Sequence, residues 1–233
     1  MTDHFKNIYN TQASQYERLI AREDQRGNIF QTIMEIHPFS GTTVVECGTG
    51  TGRLTRIMSV LVESIHSFDV AFHMLREGQR VLHETGMENW SFSQADNTAL
   101  PVADNTADIV IEGWSFGHVM GWHPDDWQAR VDAMLSEMQR VAKPDGTLIL
   151  LETMGTGNRK PQPPNPELAT LYQYWEEQHG FEYQWIRTDY QFESIEEADE
   201  LIRFFFGDDM ADELVAGKNI IVPECTGVWS KRV

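Results

Sequence analysis

Apolar positions along the chain follow two periods, and their order predicts a layered α/β domain. The β-branched run from Thr42 to Val45 reads as a buried strand, and Leu54, Ile57, Met58, Leu61 and Val62 then share one helical face. Further strands are expected from Ser64 to Phe68, from Trp90 to Asp96, over Ile109 to Ile111 and over Leu148 to Leu151. Before the last of these, Trp127, Val131, Met134, Leu135, Met138 and Val141 stripe a helix that Pro144-Asp145-Gly146 ends. Ahead of the first strand, residues 3 to 36 read as two helices, one carrying Phe5, Ile8, Tyr9, Tyr16, Leu19 and Ile20, the other Ile29, Phe30, Ile33 and Met34. After a stretch rich in Pro and Gly, from Thr153 to Pro166, the pattern predicts a helix from Glu167 to Gln178. A strand from Phe181 to Phe192, a helix from Ile195 to about Ala216 and a last strand from Ile220 to Ser230 follow.

With 233 residues, 41% of them hydrophobic, a single well-cored domain is the expectation for 1–233. Within it, 1–38 reads as N-terminal helices, 39–152 as a core, and 153–233 as a C-terminal part with a helix inserted before the last strand. The formal charge of -18 disfavours nucleic acid and anionic membrane surfaces as partners. From Asp189 to Glu213 there are ten acids and one base, Arg203, which reads as a solvated face or as a field that draws cations. Two distant cysteines, Cys47 and Cys225, and histidines without ligand spacing give no metal site. The polar stretch from Met1 to Asn10 and the lack of any membrane-length apolar run point to a cytoplasmic protein without membrane insertion.

The candidate chemistry starts where the first strand meets Glu46-Cys47-Gly48-Thr49-Gly50-Thr51-Gly52. Glycines at alternate positions let the backbone adopt left-handed angles and approach a ligand closely. The dinucleotide fingerprint needs a third glycine where Arg53 stands, and the phosphate-binding loop needs a Gly-Lys-Ser/Thr ending that is absent. Asp69 closes the second strand about twenty residues beyond the turn, placed to accept from both hydroxyls of a ribose.

Together these segments resemble the class I S-adenosylmethionine-dependent methyltransferases, in particular the type 11 group of ubiquinone and menaquinone biosynthesis. Four further stretches carry the resemblance: Asp69-Val70-Ala71-Phe72-His73-Met74-Leu75, Asp96 to Pro101, Asp104 to Val110, and Glu137-x-x-Arg140-Val141-x-Lys143-Pro144. The resemblance implies a Rossmann-like, doubly wound, seven-stranded and mostly parallel sheet with one antiparallel strand, under an N-terminal helical lid. It implies S-adenosylmethionine as donor, S-adenosylhomocysteine as product and no metal. Donor contacts would come from Glu46, Gly48, Thr49, Gly50, Gly52, Asp69, Val70, Asp96, Asn97 and Glu112. Asp69 would serve the ribose, Asp96 and Asn97 the adenine, and Glu46 the amino group.

The loop from Glu112 to Pro124, rich in Gly, Trp and His, is too irregular for either period, and loops at strand carboxyl ends often carry function. His118 is the candidate base there, because a neutral imidazole near pH 7 can take a proton from an acceptor. Tyr9, Tyr16, Trp114, Phe116, Trp122, Arg203 and Phe204 are the candidate pocket for a small-molecule acceptor, with Glu224 beside them. A homodimer is allowed by the pattern, which does not fix the oligomeric state. Two other readings remain open at this stage: a non-catalytic binder of the same donor acting as a regulatory or partner subunit, and a nicotinamide-dependent oxidoreductase.

Overall fold

The computed structural model describes residues 2–233, with side chains from His4 onward. Three helices, α1 (Thr2–Thr11), α2 (Ala13–Ile20) and α3 (Asn28–Ile36), precede β1 (Thr43–Cys47) and α4 (Arg53–Met58). Then follow β2 (Ser64–Asp69), α5 (Phe72–His83), β3 (Trp90–Gln94), β4 (Ala107–Gly113), α6 (His118–Trp122), α7 (Trp127–Val141) and β5 (Ala142–Thr156). The rest comprises α8 (Pro166–Glu177), β6 (Glu182–Arg187), β7 (Tyr190–Gln191), α9 (Ile195–Phe206), α10 (Asp208–Ala216), β8 (Ile221–Val222) and β9 (Glu224–Arg232).

Seven strands form one sheet in the order β3-β2-β1-β4-β5-β9-β6. The strands β3, β2, β1, β4 and β5 pair in parallel, while β9 runs antiparallel to both β5 and β6, which gives the one reversed strand expected. Because side chains alternate across a strand, Val44 and Val45 enter opposite cores. Val44 packs with Ile65, Ile109 and Ile149 against Ile33 of α3 and Leu54 of α4. Val45 packs with Val110, Leu148 and Leu150 against Val131 and Met138 of α7 and Trp175 of α8. The strand order reverses beside β1, so the carboxyl ends of β1, β2 and β4 flank one crevice.

Several boundaries differ from those the sequence predicts. The N-terminal helices number three, because Gln12 leaves helical geometry (φ -129°, ψ 32°) inside what reads as one stripe. Helix α4 stops at Met58, which leaves Leu61 exposed, and β3 stops at Gln94 rather than Asp96. The loop after β4 contains the short helix α6. The strand read from Phe181 to Phe192 is two, since β7 leaves the main sheet to pair with β8. The helix read from Ile195 to Ala216 divides at Gly207, whose φ of 97° no helix continues through. Pro223, which lacks an N–H, separates β8 from β9. Among the described residues no helix is long and apolar enough to cross a membrane.

Candidate active site

At the end of β1 the backbone turns through Gly48 and Gly50 at φ of 65° and 57°. A side chain at Gly48 would also come within 2.4 Å of Ser115, so the turn packs directly against the loop after β4. Asp69, at the end of β2, reaches across the turn: one carboxyl oxygen accepts from the Gly50 N–H at 2.8 Å and the other from the Ala71 N–H at 2.7 Å. Each oxygen keeps a second lone pair. Burial holds the Asp69 carboxyl above its ordinary proton affinity, and the amide bonds offset part of that effect.

Glu46 lies at the root of the turn. Its carboxylate accepts from the hydroxyls of Thr55 and of Ser67, the latter at 3.1 Å. Burial outweighs these bonds and pushes its pKa up to about 7.

These groups share one cavity of about 320 Å³, within the range of small-molecule sites. Of the expected donor contacts, Glu46, Gly48, Thr49, Gly50, Asp69, Val70 and Asn97 line it. Asn97 holds a buried amide oxygen with no partner in the protein. The same cavity is lined by Tyr9, Tyr16, Trp114, His118 and Trp122 from the acceptor set. The Tyr9 hydroxyl lies 2.9 Å from His118 Nε2, and the imidazole stacks on Trp122 with centroids 4.7 Å apart. Burial without a compensating acid pushes the His118 pKa down to about 4, so the ring is neutral at pH 7.

Other expected contacts lie elsewhere, each for a local reason. Gly52 caps α4, where an added side chain would come within 2.6 Å of Phe92 and 2.7 Å of Leu82, so its glycine serves packing. Asp96 lies outside the cavity and turns its carboxylate to the N–H and hydroxyl of Thr98 at 2.9 and 2.7 Å. Glu112 is buried beneath the loop after β4, and Phe116 is buried in the core on the α7 side. Arg203 is paired on the outside with Asp199, Asp208 and Asp212 at 2.5, 2.9 and 2.8 Å. Phe204 is outside the cavity wall; its neighbour Phe205 is the one that approaches Tyr16, at 5.7 Å, because it continues the buried face of α9. Glu224 is buried and accepts from the Thr153 hydroxyl at 2.8 Å.

Sequence reasoning missed Arg53, Thr51, Ser115 and Lys6, which also line the cavity. Arg53 had a signal: it stands where a dinucleotide site would have glycine. Its buried guanidinium pairs with Glu23 and covers the Trp114 ring at 3.5 Å. Glu17 of α2 accepts from Thr51 Oγ1 at 2.5 Å and from Arg56 at 2.7 Å, so α2 is tied to the start of α4. No group of three or more metal-ligating side chains occurs among the described residues.

Residues 45–150 match the methyltransferase domain family. Over that span the chain is similar to the methyltransferase domain of class I enzymes. A demethylmenaquinone methyltransferase from Shouchella clausii is 29% identical over 176 residues, covering 74% of this chain and 68% of that protein. A ubiquinone/menaquinone biosynthesis C-methyltransferase from Hahella chejuensis is 32% identical over 137 residues, covering 57% of this chain and 49% of that protein. Apart from the Shouchella protein, the chain spans about half the length of the curated relatives it matches. Among solved structures, a SAM-dependent methyltransferase from Aquifex aeolicus superposes with a TM-score of 0.60 at 17% identity, covering 94% of this chain and 98% of that one. That likeness speaks to the methyltransferase fold.

Proposed function

We propose that this chain transfers a methyl group from S-adenosylmethionine to a small-molecule acceptor. One observation carries the reading: a single cavity brings the glycine turn, Glu46 and Asp69 together with Tyr9, Tyr16, His118 and Trp122. The residues fit the donor. Gly50 leaves room over the turn, Asp69 has lone pairs free for a ribose diol, and the unpartnered Asn97 oxygen suits the adenine amino group. Glu46 is proposed for the donor's amino group. Bound there, the donor supplies an electrophilic sulfonium methyl.

The chain's own task is then to place the acceptor in line and keep water out, which supplies roughly 7–11 kcal/mol of barrier reduction in well-oriented reactions. Helices α1 and α2 bring Tyr9 and Tyr16 over the cavity for that purpose. His118 is the residue proposed to take a proton from an acceptor that carries one. It is held in the neutral form this requires, but a pKa near 4 makes it a weak base, so positioning carries most of the rate. The menaquinone and ubiquinone methyltransferases among the relatives favour an aromatic acceptor of quinone-precursor type, which the aromatic wall suits. Formation of S-adenosylhomocysteine with a panel of hydroquinones, amines and phenols tests the reading. Product with any of them supports methyl transfer, and a preference for hydroquinones supports the finer assignment.

A further inference from the structure

The two acids beneath the loop after β4 have no part in the cavity wall, and their surroundings are unusual. Glu112 and Leu150 are register partners on β4 and β5, so Glu152, two residues on, lies on the same face of the sheet one step along. Both acids are buried. Glu112 Oε2 accepts from the Ser115 N–H at 3.2 Å, the Ser115 hydroxyl at 3.0 Å and the Phe116 N–H at 3.3 Å. Glu152 Oε1 accepts from the next amide, Gly117, at 2.7 Å. Successive amides thus hold both carboxyl groups under one loop. Gly117 allows this approach, since a side chain there would come within 2.8 Å of Glu152 Oε1.

No lysine or arginine pairs with either acid among the described residues. The titratable groups that face them from packed elements are Cys47 of β1, Tyr9 of α1, Tyr172 of α8 and, through Tyr172, Glu224 of β9. None is a cation. Glu112 Oε1 is buried and has no donor. Two adjacent carboxylates in such a place cannot both stay ionised without a large cost. Burial raises the proton affinity of both, and for Glu112 the neighbouring Glu152 adds to the effect.

We propose that Glu112 and Glu152 hold one proton between them and, as that pair, position the segment from Trp114 to His118 along the cavity. The proton comes from solvent as the pair is buried, and the carboxyl that carries it donates to the other. Both are positioning residues, because they act through the loop.

The test compares wild type with Glu112→Gln and Glu152→Gln, each of which replaces the shared proton by an amide N–H, and with the two alanine variants. The pH dependence of unfolding should show about one proton fewer taken up on folding near pH 7 in either glutamine variant. Exchange of the Phe116 and Gly117 amide hydrogens should speed up about tenfold or more in the alanine variants and return to within about threefold of wild type with glutamine. Unchanged proton uptake in both glutamine variants overturns the proposal, as does equal loss of protection with glutamine and alanine. If the glutamine variants do not fold, carbon-13 spectra of the wild-type glutamate carboxyls decide. A pair titrating in two separate steps, one above neutrality, supports it; both groups ionising in the ordinary range, or both staying protonated past about pH 9, overturns it. None of these readouts needs the donor, so their failure is separate from failure of the methyl-transfer reading.

Discussion

The guanidinium of Arg53 lies 3.5 Å over the centre of the Trp114 ring while it pairs with Glu23. One side chain thus joins the start of α4, the loop after β4 and the segment that follows α2. A buried ion pair gives little net stability over an apolar substitute, but removing one member leaves the other charged and unpaired. Arg53→Met is therefore expected to lower unfolding free energy by about 3–5 kcal/mol in urea titrations. Adding Glu23→Gln should recover part of the loss.

Asp69→Ala removes both acceptors proposed for the ribose and the bonds that brace Gly50 and Ala71. Donor affinity is expected to fall about 100-fold or more, read by calorimetry with S-adenosylhomocysteine.

His118→Ala is expected to lower turnover while leaving donor affinity nearly unchanged, since the ring lies with Tyr9 and Trp122 in the part of the cavity proposed for the acceptor. Tyr9→Phe breaks the hydrogen bond to His118 and should reduce turnover in the same direction. Unchanged turnover in the histidine variant, with an acceptor that supports wild-type activity, removes the proton-accepting role.

Stability should fall as pH rises. Glu46 keeps its proton in the folded state up to about 7, whereas the unfolded chain releases it near the ordinary value of 4.5. Its contribution is thus complete below that lower value and lost as pH passes 7. Glu112, Glu152 and Glu224 are shifted in the same direction by burial. His118 works oppositely: its pKa of about 4 removes stability as pH falls below its ordinary value of 6.5. The three protons held by Glu46, by Glu224 and by the Glu112–Glu152 pair outweigh the imidazoles of His118 and His37, so the melting temperature is expected to be higher at about pH 5.5 than at about pH 8.5. Glu46→Gln should flatten that slope.

The middle of the sheet was legible because β1 and β4 are short β-branched or apolar runs, and because Glu46, Gly48, Gly50 and Asp69 mark a strand-end crevice; β5 runs from Ala142 to Thr156, well beyond the apolar stretch Leu148 to Leu151 that marks it. Helix α7 was equally plain, its apolar stripe running the full length from Trp127 to Val141. The tail was not. Aromatic residues continue from Phe181 to Phe192 without Gly or Pro, and the break comes from tertiary contacts, Arg187 pairing with Asp189 and bonding the Glu224 carbonyl at 3.2 Å. Arg203 looked like a pocket cation, yet three acids, at one, one and more than two turns along the chain, satisfy it outside. Phe204, Phe205 and Phe206 are consecutive, and only helix phase decides that Phe205 turns toward Tyr16. Arg53 is marked in the sequence only as a missing glycine, and nothing there points to its partner thirty residues upstream, Glu23.

Calorimetric titration of the purified protein with S-adenosylmethionine and, separately, S-adenosylhomocysteine decides whether the cavity is a donor site. One site should bind both at micromolar concentrations and lose both in Asp69→Ala. No binding of either ligand by folded wild-type protein would contradict the donor assignment.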